Sequence, residues 1–262
     1  MTDQYTHHLA LGKEDIQGAE FAFLSGAPER VPKLTRAFDP QSKEIAYQRE
    51  FRSWLGRIEG IPVLVTSTGI GGPSTSIAIE ELAQLGVMTF IRVGTTGAIQ
   101  REIEVGDVII TTGSVRMDGA STHYAPLEYP AVAHHEVLQT LIEAAQEVNP
   151  PGGFNYHIGI TVSVDTFYPG QERYDTYSQY VIRGLQGSLE EWQRLHALNY
   201  EMESATVLTL CSTLGLRGGC VTGVLVNRTL AGETKRSQGE RAEDNAIAVA
   251  VEAMRKLIRS SL

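Results

Sequence analysis

The stretch Thr89–Ala98 constrains the fold of this chain more than any other part of the sequence. Its first half is apolar and β-branched apart from Arg92, as expected of a strand covered on both faces, and its second half is small and glycine-rich. The pattern predicts a buried strand that ends in an open loop. In open α/β sheets, ligands bind beyond the carboxyl ends of the strands, where glycines let backbone N–H groups approach an anion.

Arg92 places a fixed positive charge inside that strand. A guanidinium is seldom buried without an anionic partner. We therefore expect Arg92, together with the hydroxyl of Thr95, to bind a phosphate or a carboxylate. The alternative that the residues leave open is a structural ion pair in the core.

Composition limits the classes of protein to which the chain can belong. Its 262 residues, 42% of them apolar, predict one large α/β domain over residues 1–262. The net charge of −9 disfavours a nucleic-acid surface, which needs a basic stripe. The polar residues 1–8 and the lack of an apolar run of roughly 20 residues indicate neither a signal peptide nor a membrane segment. We expect a cytoplasmic protein in which Cys211 and Cys220 stay reduced.

Strand and helix patterns alternate along the chain without a linker or an internal repeat. Beyond the central stretch, strands are predicted at 21–24, 61–66, 105–114, 157–164 and 221–230, with a strand pair between 44 and 60. Apolar residues at three- and four-residue steps predict four helices. One ends near Leu85, one has Val137 and Ala145 on its apolar face, one continues after Ser204, and the last closes the chain.

Two short loops have the composition of anion sites. Gly26 allows close approach of an anion, Pro28 suits the first turn of a helix, and Arg30 at the helix start indicates either a bound anion or a solvated side chain. The loop at 67–76 is small and open as well. It does not match the dinucleotide fingerprint, because Ser74 stands where the third glycine should be, and no Walker lysine follows, so no NAD or ATP site is predicted.

Two later segments suggest recognition of a ring and of a sugar. In the loop 165–177, Gln171 and Arg173 could contact the edge of a planar heterocycle while Phe167 packs on its face, although an ordinary surface loop is the alternative. In 199–204, a carboxylate next to Met202 suits a sugar with vicinal hydroxyls. The helix dipole would also favour carboxylates at that helix start, without any ligand.

These motifs resemble those of the uridine phosphorylases, a branch of the hexameric nucleoside phosphorylase superfamily. The likeness covers nearly the whole chain and rests on residues 67–85, 91–99, 165–177, 200–204 and 224–229. It implies a single three-layer α/β/α domain with a mixed, partly barrel-like central sheet. It also implies a pentosyltransferase that catalyses the reversible phosphorolysis of uridine, and of deoxyuridine, to uracil and ribose 1-phosphate, with inorganic phosphate as co-substrate and no required cofactor.

The resemblance carries site roles over to positions of this sequence. It implies that phosphate is held by Gly26, Arg30, Arg92 and Thr95, with Arg49 from a neighbouring subunit. Ribose would contact Met202 and Glu203, with His8 from the neighbour. The base would contact Thr96, Gly97, Phe167, Gln171, Arg173 and Arg228. A hexamer built as a trimer of dimers is implied, with a monovalent cation such as potassium held where paired subunits meet by Glu50, Ile70 and Ser74.

The chemistry of phosphorolysis agrees with these residue types. The sugar becomes oxocarbenium-like, negative charge grows on the base, and a phosphate oxygen attacks the anomeric carbon, so no side-chain nucleophile is needed. Positioning and charge stabilisation are what help, and the expected catalytic residues are Arg92, Glu203, Gln171 and Arg173. The sequence contains no HExxH, no G-x-S-x-G elbow and no spacing suited to a catalytic metal.

The sequence departs from the family pattern at Ala27, where an aspartate is usual, at His7, where an aromatic is common, and across the charged segment 230–241. Three alternatives therefore stay open: a purine nucleoside phosphorylase, a nucleoside hydrolase on the same fold, and a nucleoside-binding homologue with impaired turnover. Asn227-Arg228 replaces the aspartate that purine enzymes carry near the end of the last strand. The presence of Arg30, Arg49 and Arg92 disfavours a hydrolase, because a hydrolase needs no phosphate site.

Overall fold

A computed structural model describes residues 5–149, 153–229 and 236–261, without the side chains of 236–238. Its ten strands are, in chain order, β1 (Phe21–Ser25), β2 (Lys43–Gln48), β3 (Phe51–Ile58), β4 (Ile61–Ser67), β5 (Thr89–Ala98), β6 (Val108–Met117), β7 (Ala131–Val132), β8 (Tyr156–Val164), β9 (Asn199–Glu201) and β10 (Arg217–Asn227). The helices in the described part are α1 (Arg30–Arg36), α2 (Gly72–Leu85), α3 (His135–Val148), α4 (Ser188–Arg194), α5 (Ser204–Thr213) and α6 (Arg236–Ser261).

The sheet closes on itself over five of its strands. β5 pairs with β10 in parallel and with β9 antiparallel, and β8 and β6 complete the ring between β9 and β10. From β5 the sheet continues outward through β1, β4, β3 and β2. The predicted mixed, partly barrel-like sheet is confirmed.

Helices cover both faces of this sheet because the strand side chains alternate between two cores. Phe23 and Val65 point to the core that α1, α3 and α6 cover, whereas Leu24 and Leu64 point to the core that α2 and α5 cover. The predicted three-layer α/β/α arrangement is confirmed. The helix that was expected to end near Leu85 does so, and Gly86 follows it with a φ of 115°.

The prediction that the glycine-rich half of 89–98 is an open loop is wrong. β5 runs to Ala98, and its last residues pair with Val226 and Asn227 of β10 and with Asn199 and Tyr200 of β9. Small residues can stay in a strand here because β10 pairs with the backbone along this half, and β9 adds a second partner at Gly97 and Ala98. Pairing between strands that are far apart in the sequence cannot be predicted from local composition.

Two other expectations concern the cysteines and the membrane. Cys211 and Cys220 are buried and free, and burial raises the pKa of each thiol to about 12. No helix in the described part of the chain has the length and apolar character needed to cross a lipid bilayer. Within the charged segment 230–241, residues 230–235 lie outside the described residues.

Close packing of α6 on the ring generates a prediction about stability. A Cβ at Gly223 in β10 would overlap the backbone carbonyl of Ala242 in α6. We expect Gly223→Ala to push the helix away and to lower the free energy of unfolding by about 1–3 kcal/mol or more. The measurement is a urea unfolding curve followed by circular dichroism.

The matched control for that measurement is Gly184→Ala. No atom lies within 4 Å of the Cβ that this change would add. Equal unfolding midpoints for the two variants would contradict the prediction.

Candidate active site

A cavity of about 540 Å³ lies where β1, β4, β5 and β10 end. This volume is in the range that holds a small organic ligand. The cavity brings together most of the residues predicted from the sequence: Gly26, Arg30, Ile70, Arg92, Thr95, Thr96, Gly97, Phe167, Gln171, Arg173, Met202 and Glu203.

Arg92 lies between two carboxylates at the floor of this cavity. Its Nε donates to Glu201 Oε2 at 2.9 Å, and its Nη2 pairs with Glu203 Oε2. All three side chains are at most 5% exposed. A Cβ at Gly94 would lie 2.8 Å from Nη2, so a glycine is needed for the guanidinium to fold back along β5. The structural ion pair, which was the alternative to an anion-binding role, is present, and Arg92 also lines the cavity.

The backbone holds the two carboxylates. Glu201 accepts the backbone N–H groups of Glu203 and Ser204 at 2.9–3.0 Å and the Ser204 hydroxyl at 2.5 Å, and it thereby caps the start of α5. Glu203 Oε1 accepts the backbone N–H of Gly71 at 2.6 Å. Arg92 is therefore linked, through these two carboxylates, to loop 68–71, β9 and the start of α5.

Burial and neighbouring charges set the ionisation of this group. Burial would lower the pKa of Arg92, but Glu203 and Glu201 raise it, so the guanidinium stays charged. Burial raises the pKa of Glu203, and the carboxylate of Glu201 adds to this while Arg92 opposes it. Arg92 is therefore the neighbour that most stabilises the ionised form of Glu203.

Arg30 lies on the other wall of the same end of the cavity. Its Nη2 donates to Thr95 Oγ1 at 3.2 Å, and its Nε pairs with Glu243 of α6 at 2.8 Å. The side chain is one quarter exposed, so the alternative of a freely solvated arginine is wrong. Arg30, Arg92 and Gly26 thus line the same cavity, and each of the two arginines is already paired with a carboxylate.

Aromatic and amide groups line the opposite end. The Arg173 guanidinium lies 4.2 Å from the Phe167 ring centroid, and its Nε donates weakly to Gln171 Oε1 at 3.4 Å. Arg228 Nη1 donates to the Gln171 carbonyl at 2.6 Å. Gln171 is only 3% exposed, whereas Phe167 is 47% exposed, so the segment 165–177 combines a buried part that lines the cavity with a part at the surface.

The two guanidiniums at this end lie in an environment that disfavours positive charge. Burial lowers the pKa of Arg173. Burial and the nearby charge of Arg173 lower the pKa of Arg228 to about 10. An anion, or a group that becomes negative, would relieve both effects.

Several predicted site residues are not part of this cavity. His8 bonds to Glu81 through Nδ1 at 2.6 Å, and Arg49 is an exposed turn residue with a φ of 55°. Arg228 lies behind Gln171, outside the residues that line the cavity. Glu50 and Ser74 both flank Gly69 at the cavity rim.

Thr96 lines the cavity, but its hydroxyl is already used. Oγ1 donates to the Tyr200 carbonyl at 2.6 Å and accepts from Asn199 Nδ2 at 2.7 Å. A base contact from Thr96 would therefore come from its methyl group or backbone.

Sequence reasoning missed several lining residues. Glu201 had a sufficient explanation in the helix dipole, and Leu225 and Val226 in β10 have the pattern of core strand residues. Tyr200, buried next to Glu201, carries no signal apart from its position in a recognised motif. Asn227 was named, but it is structural, because its amide donates to the carbonyls of Gln100 and Ile103.

Comparison with known proteins agrees with this geometry. A family model described as the phosphorylase superfamily matches residues 20–262. The uridine phosphorylase of Escherichia coli (strain K12) is 54% identical over 258 residues, covering 98% of this chain and 100% of the relative. The uridine phosphorylase of Thermococcus kodakarensis is 47% identical, and the match covers 96% of this chain and 86% of the relative. A guanosine phosphorylase of Halorubrum lacusprofundi is 35% identical, and that match covers 91% of this chain and 92% of the relative. The chain therefore belongs to the phosphorylase superfamily.

Proposed function

We propose that this chain is a pentosyltransferase that catalyses the reversible phosphorolysis of uridine, and of deoxyuridine, to uracil and the sugar 1-phosphate. One observation carries the proposal: a single cavity has Arg30 and Arg92 at one end and Gln171 and Arg173 at the other. That arrangement suits a substrate pair with an anion at one end and a planar polar ring at the other. Relatives named uridine phosphorylase at 47–54% identity over nearly the whole chain support the same reaction.

The phosphate subsite combines charge with a hydroxyl and backbone groups. Arg30 and Arg92 supply positive charge, Thr95 supplies a hydroxyl, and Gly26 leaves the backbone accessible. Phosphate is the co-substrate, and no cofactor enters the reaction. Held in this way, a phosphate oxygen can attack the anomeric carbon without a side-chain nucleophile.

Between the two ends, Met202 and Glu203 form the ribose subsite. Glu203 is fixed by Gly71 and Arg92, so one carboxylate can accept hydrogen bonds from the sugar hydroxyls without reorganising. A fixed carboxylate also favours the oxocarbenium-like sugar, whose positive charge develops beside it.

At the base end, Gln171 and Arg173 would donate to the uracil as negative charge grows on it. Arg228 would act through Gln171, whose carbonyl it holds. Burial lowers the pKa of both arginines, and Asp175 offsets part of this effect, so negative charge that develops on the base would stabilise the two guanidiniums further. Catalysis then relies on preorganised donors.

A purine substrate is the alternative with most support, since a guanosine phosphorylase is among the relatives. Protonation of a purine needs an acid at the base end. Among the described residues that line the cavity, the acidic ones are Glu29, Glu201 and Glu203, none of which follows β10. Asn227 is occupied by backbone carbonyls, so we favour the pyrimidine.

The assembly completes the site in this proposal. His8 and Arg49 lie outside the cavity of their own chain, and we place them in the cavity of a neighbouring subunit within a hexamer, a trimer of dimers. Glu50 and Ser74 lie close enough, on either side of Gly69, to share one cation with the Ile70 backbone. One carboxylate suits a monovalent ion such as potassium, with a second copy supplying further oxygens. The free, buried cysteines agree with the reducing cytoplasm as the compartment.

Phosphate dependence tests the reaction itself. We expect uracil release from uridine to require inorganic phosphate and to yield ribose 1-phosphate, because the arginines hold the attacking nucleophile. Product analysis by chromatography with and without phosphate is the measurement. Release of free ribose without phosphate would identify a hydrolase, and binding without release would identify a homologue that has lost turnover.

Loss of Arg173 tests the base subsite. We expect Arg173→Ala to lower uridine turnover by at least about a hundredfold, since one donor to developing charge is typically worth that much. 5-Fluorouridine should lose less, because its more acidic base leaves with less help. The rate ratios of variant to parent for the two nucleosides are the measurement.

The exposed Arg183 provides the control, since Arg183→Ala removes an arginine outside the cavity. Equal losses on both nucleosides in Arg173→Ala would mean that Arg173 acts in binding or folding rather than on the leaving base.

A mixing experiment tests the shared site. Arg49→Ala and Arg173→Ala should each be nearly inactive alone. In randomly reassembled mixtures, half of the pairs are mixed and one of their two sites is intact, so about a quarter of the parental activity should return. Activity equal to the sum of the separate variants would show that Arg49 serves its own chain or none.

A further inference from the structure

We propose that Glu243, on the closing helix α6, is the positioning residue that orients Arg30 for phosphate. The inference rests on the proposed function and adds to it a residue outside the cavity. Glu243 Oε2 pairs with Arg30 Nε at 2.8 Å, and the two side chains are 19% and 25% exposed. None of the sequence motifs includes this residue.

The geometry leaves the useful edge of the guanidinium free for an anion. Glu243 takes Nε on one side, and Thr95 accepts from Nη2 at 3.2 Å. Two contacts thus fix the plane of a long side chain that could otherwise adopt many rotamers. Among the described residues, Nη1 of Arg30 has no hydrogen-bond partner, and the side chain lines the cavity in which phosphate is proposed to bind, so the ordering entropy is spent before phosphate arrives.

Glu243 is itself held in place. Its Oε1 pairs with Lys33 Nζ at 3.0 Å, and Lys33 also pairs with Asp244 Oδ1 at 2.6 Å. Arg30 and Lys33 are three residues apart in α1, so both cations lie on the same helix face. The charge of Lys33 offsets that of Glu243, and the carboxylate therefore orients Arg30 without competing strongly with a phosphate.

Position 27 of the phosphate loop is alanine, and the loop carboxylate next to Arg30 in sequence is that of Glu29. Among the described residues, Glu243 is the acidic side chain that forms an ion pair with Arg30. Glu243 also lines a small cavity between β1 and β5, together with Ser25, Gly94 and Arg30. The closing helix thus supplies, from the far end of the sequence, the carboxylate that pairs with Arg30.

Two substitutions at Glu243 remove the ion pair with Arg30. Glu243→Ala removes the carboxylate, and we expect the KM for phosphate to rise about tenfold, as is reasonable for ordering one long side chain again. Uridine KM and kcat should change little. Glu243→Gln keeps the size of the side chain and removes its charge, so its phosphate KM should rise as well. Steady-state kinetics with phosphate varied at saturating uridine gives these values.

Asp244→Asn is the matched control, because Asp244 lies on the same helix and pairs with Lys33 but not with Arg30. Its phosphate KM should equal that of the parent. A lower KM in both Glu243 variants would show that Glu243 competes with phosphate, and an unchanged KM in Glu243→Ala would show no role. Either result overturns the inference.

A second measurement separates this inference from the proposed function. The shift of the thermal midpoint by inorganic phosphate reports binding without turnover. A parent that neither shifts with phosphate nor needs it for uracil release would overturn the function. A parent that does both, with Glu243→Ala matching it in both, would overturn the role of Glu243 alone.

Discussion

The buried ion triad of Glu201, Arg92 and Glu203 is the interaction on which the rest of the site depends. Charges this deeply buried are stable only when each has a partner and hydrogen bonds. Here the partners come from β5, β9 and the start of α5, and the backbone of loop 68–71 adds a donor to Glu203. One guanidinium therefore fixes the relative positions of β5, β9, the start of α5 and loop 68–71. Removing it would leave two carboxylates without compensation.

The cavity does not share the acidic excess of the whole chain. The chain carries a net charge of −9, whereas the lining arginines Arg30, Arg92 and Arg173 equal the lining acids Glu29, Glu201 and Glu203 in number. The overall charge disfavours a polyanion partner such as nucleic acid and does not exclude a small anion, because local charge in a partly closed cleft decides what enters. In the proposed reaction a phosphate oxygen is the nucleophile, so no nucleophilic side chain is needed.

Sequence patterns predicted what depends on local periodicity and failed where long-range pairing decides. The helix that ends near Leu85 and the strand pair around residues 49 and 50 follow from apolar spacing and turn position. The extension of β5 to Ala98 does not, because its glycines are held by β9 and β10, which lie more than a hundred residues further along the chain. Glu243 was missed for the same reason: α6 shows an apolar face in the sequence, and its polar contacts to α1 exist only after folding.

Ring closure sets the distance between two residues that line the cavity. Arg92 and Gly97, to which the proposed function assigns phosphate and base contacts, belong to one strand, and five residues of strand span roughly 16 Å. β5 pairs with β10 along this length, with β1 up to Arg92 and with β9 from Gly97, so the sheet holds both ends of that span. Side-chain exchange can change which ring or anion is accepted. A substrate pair of different length would require a shift in register, which would turn every following side chain to the opposite face.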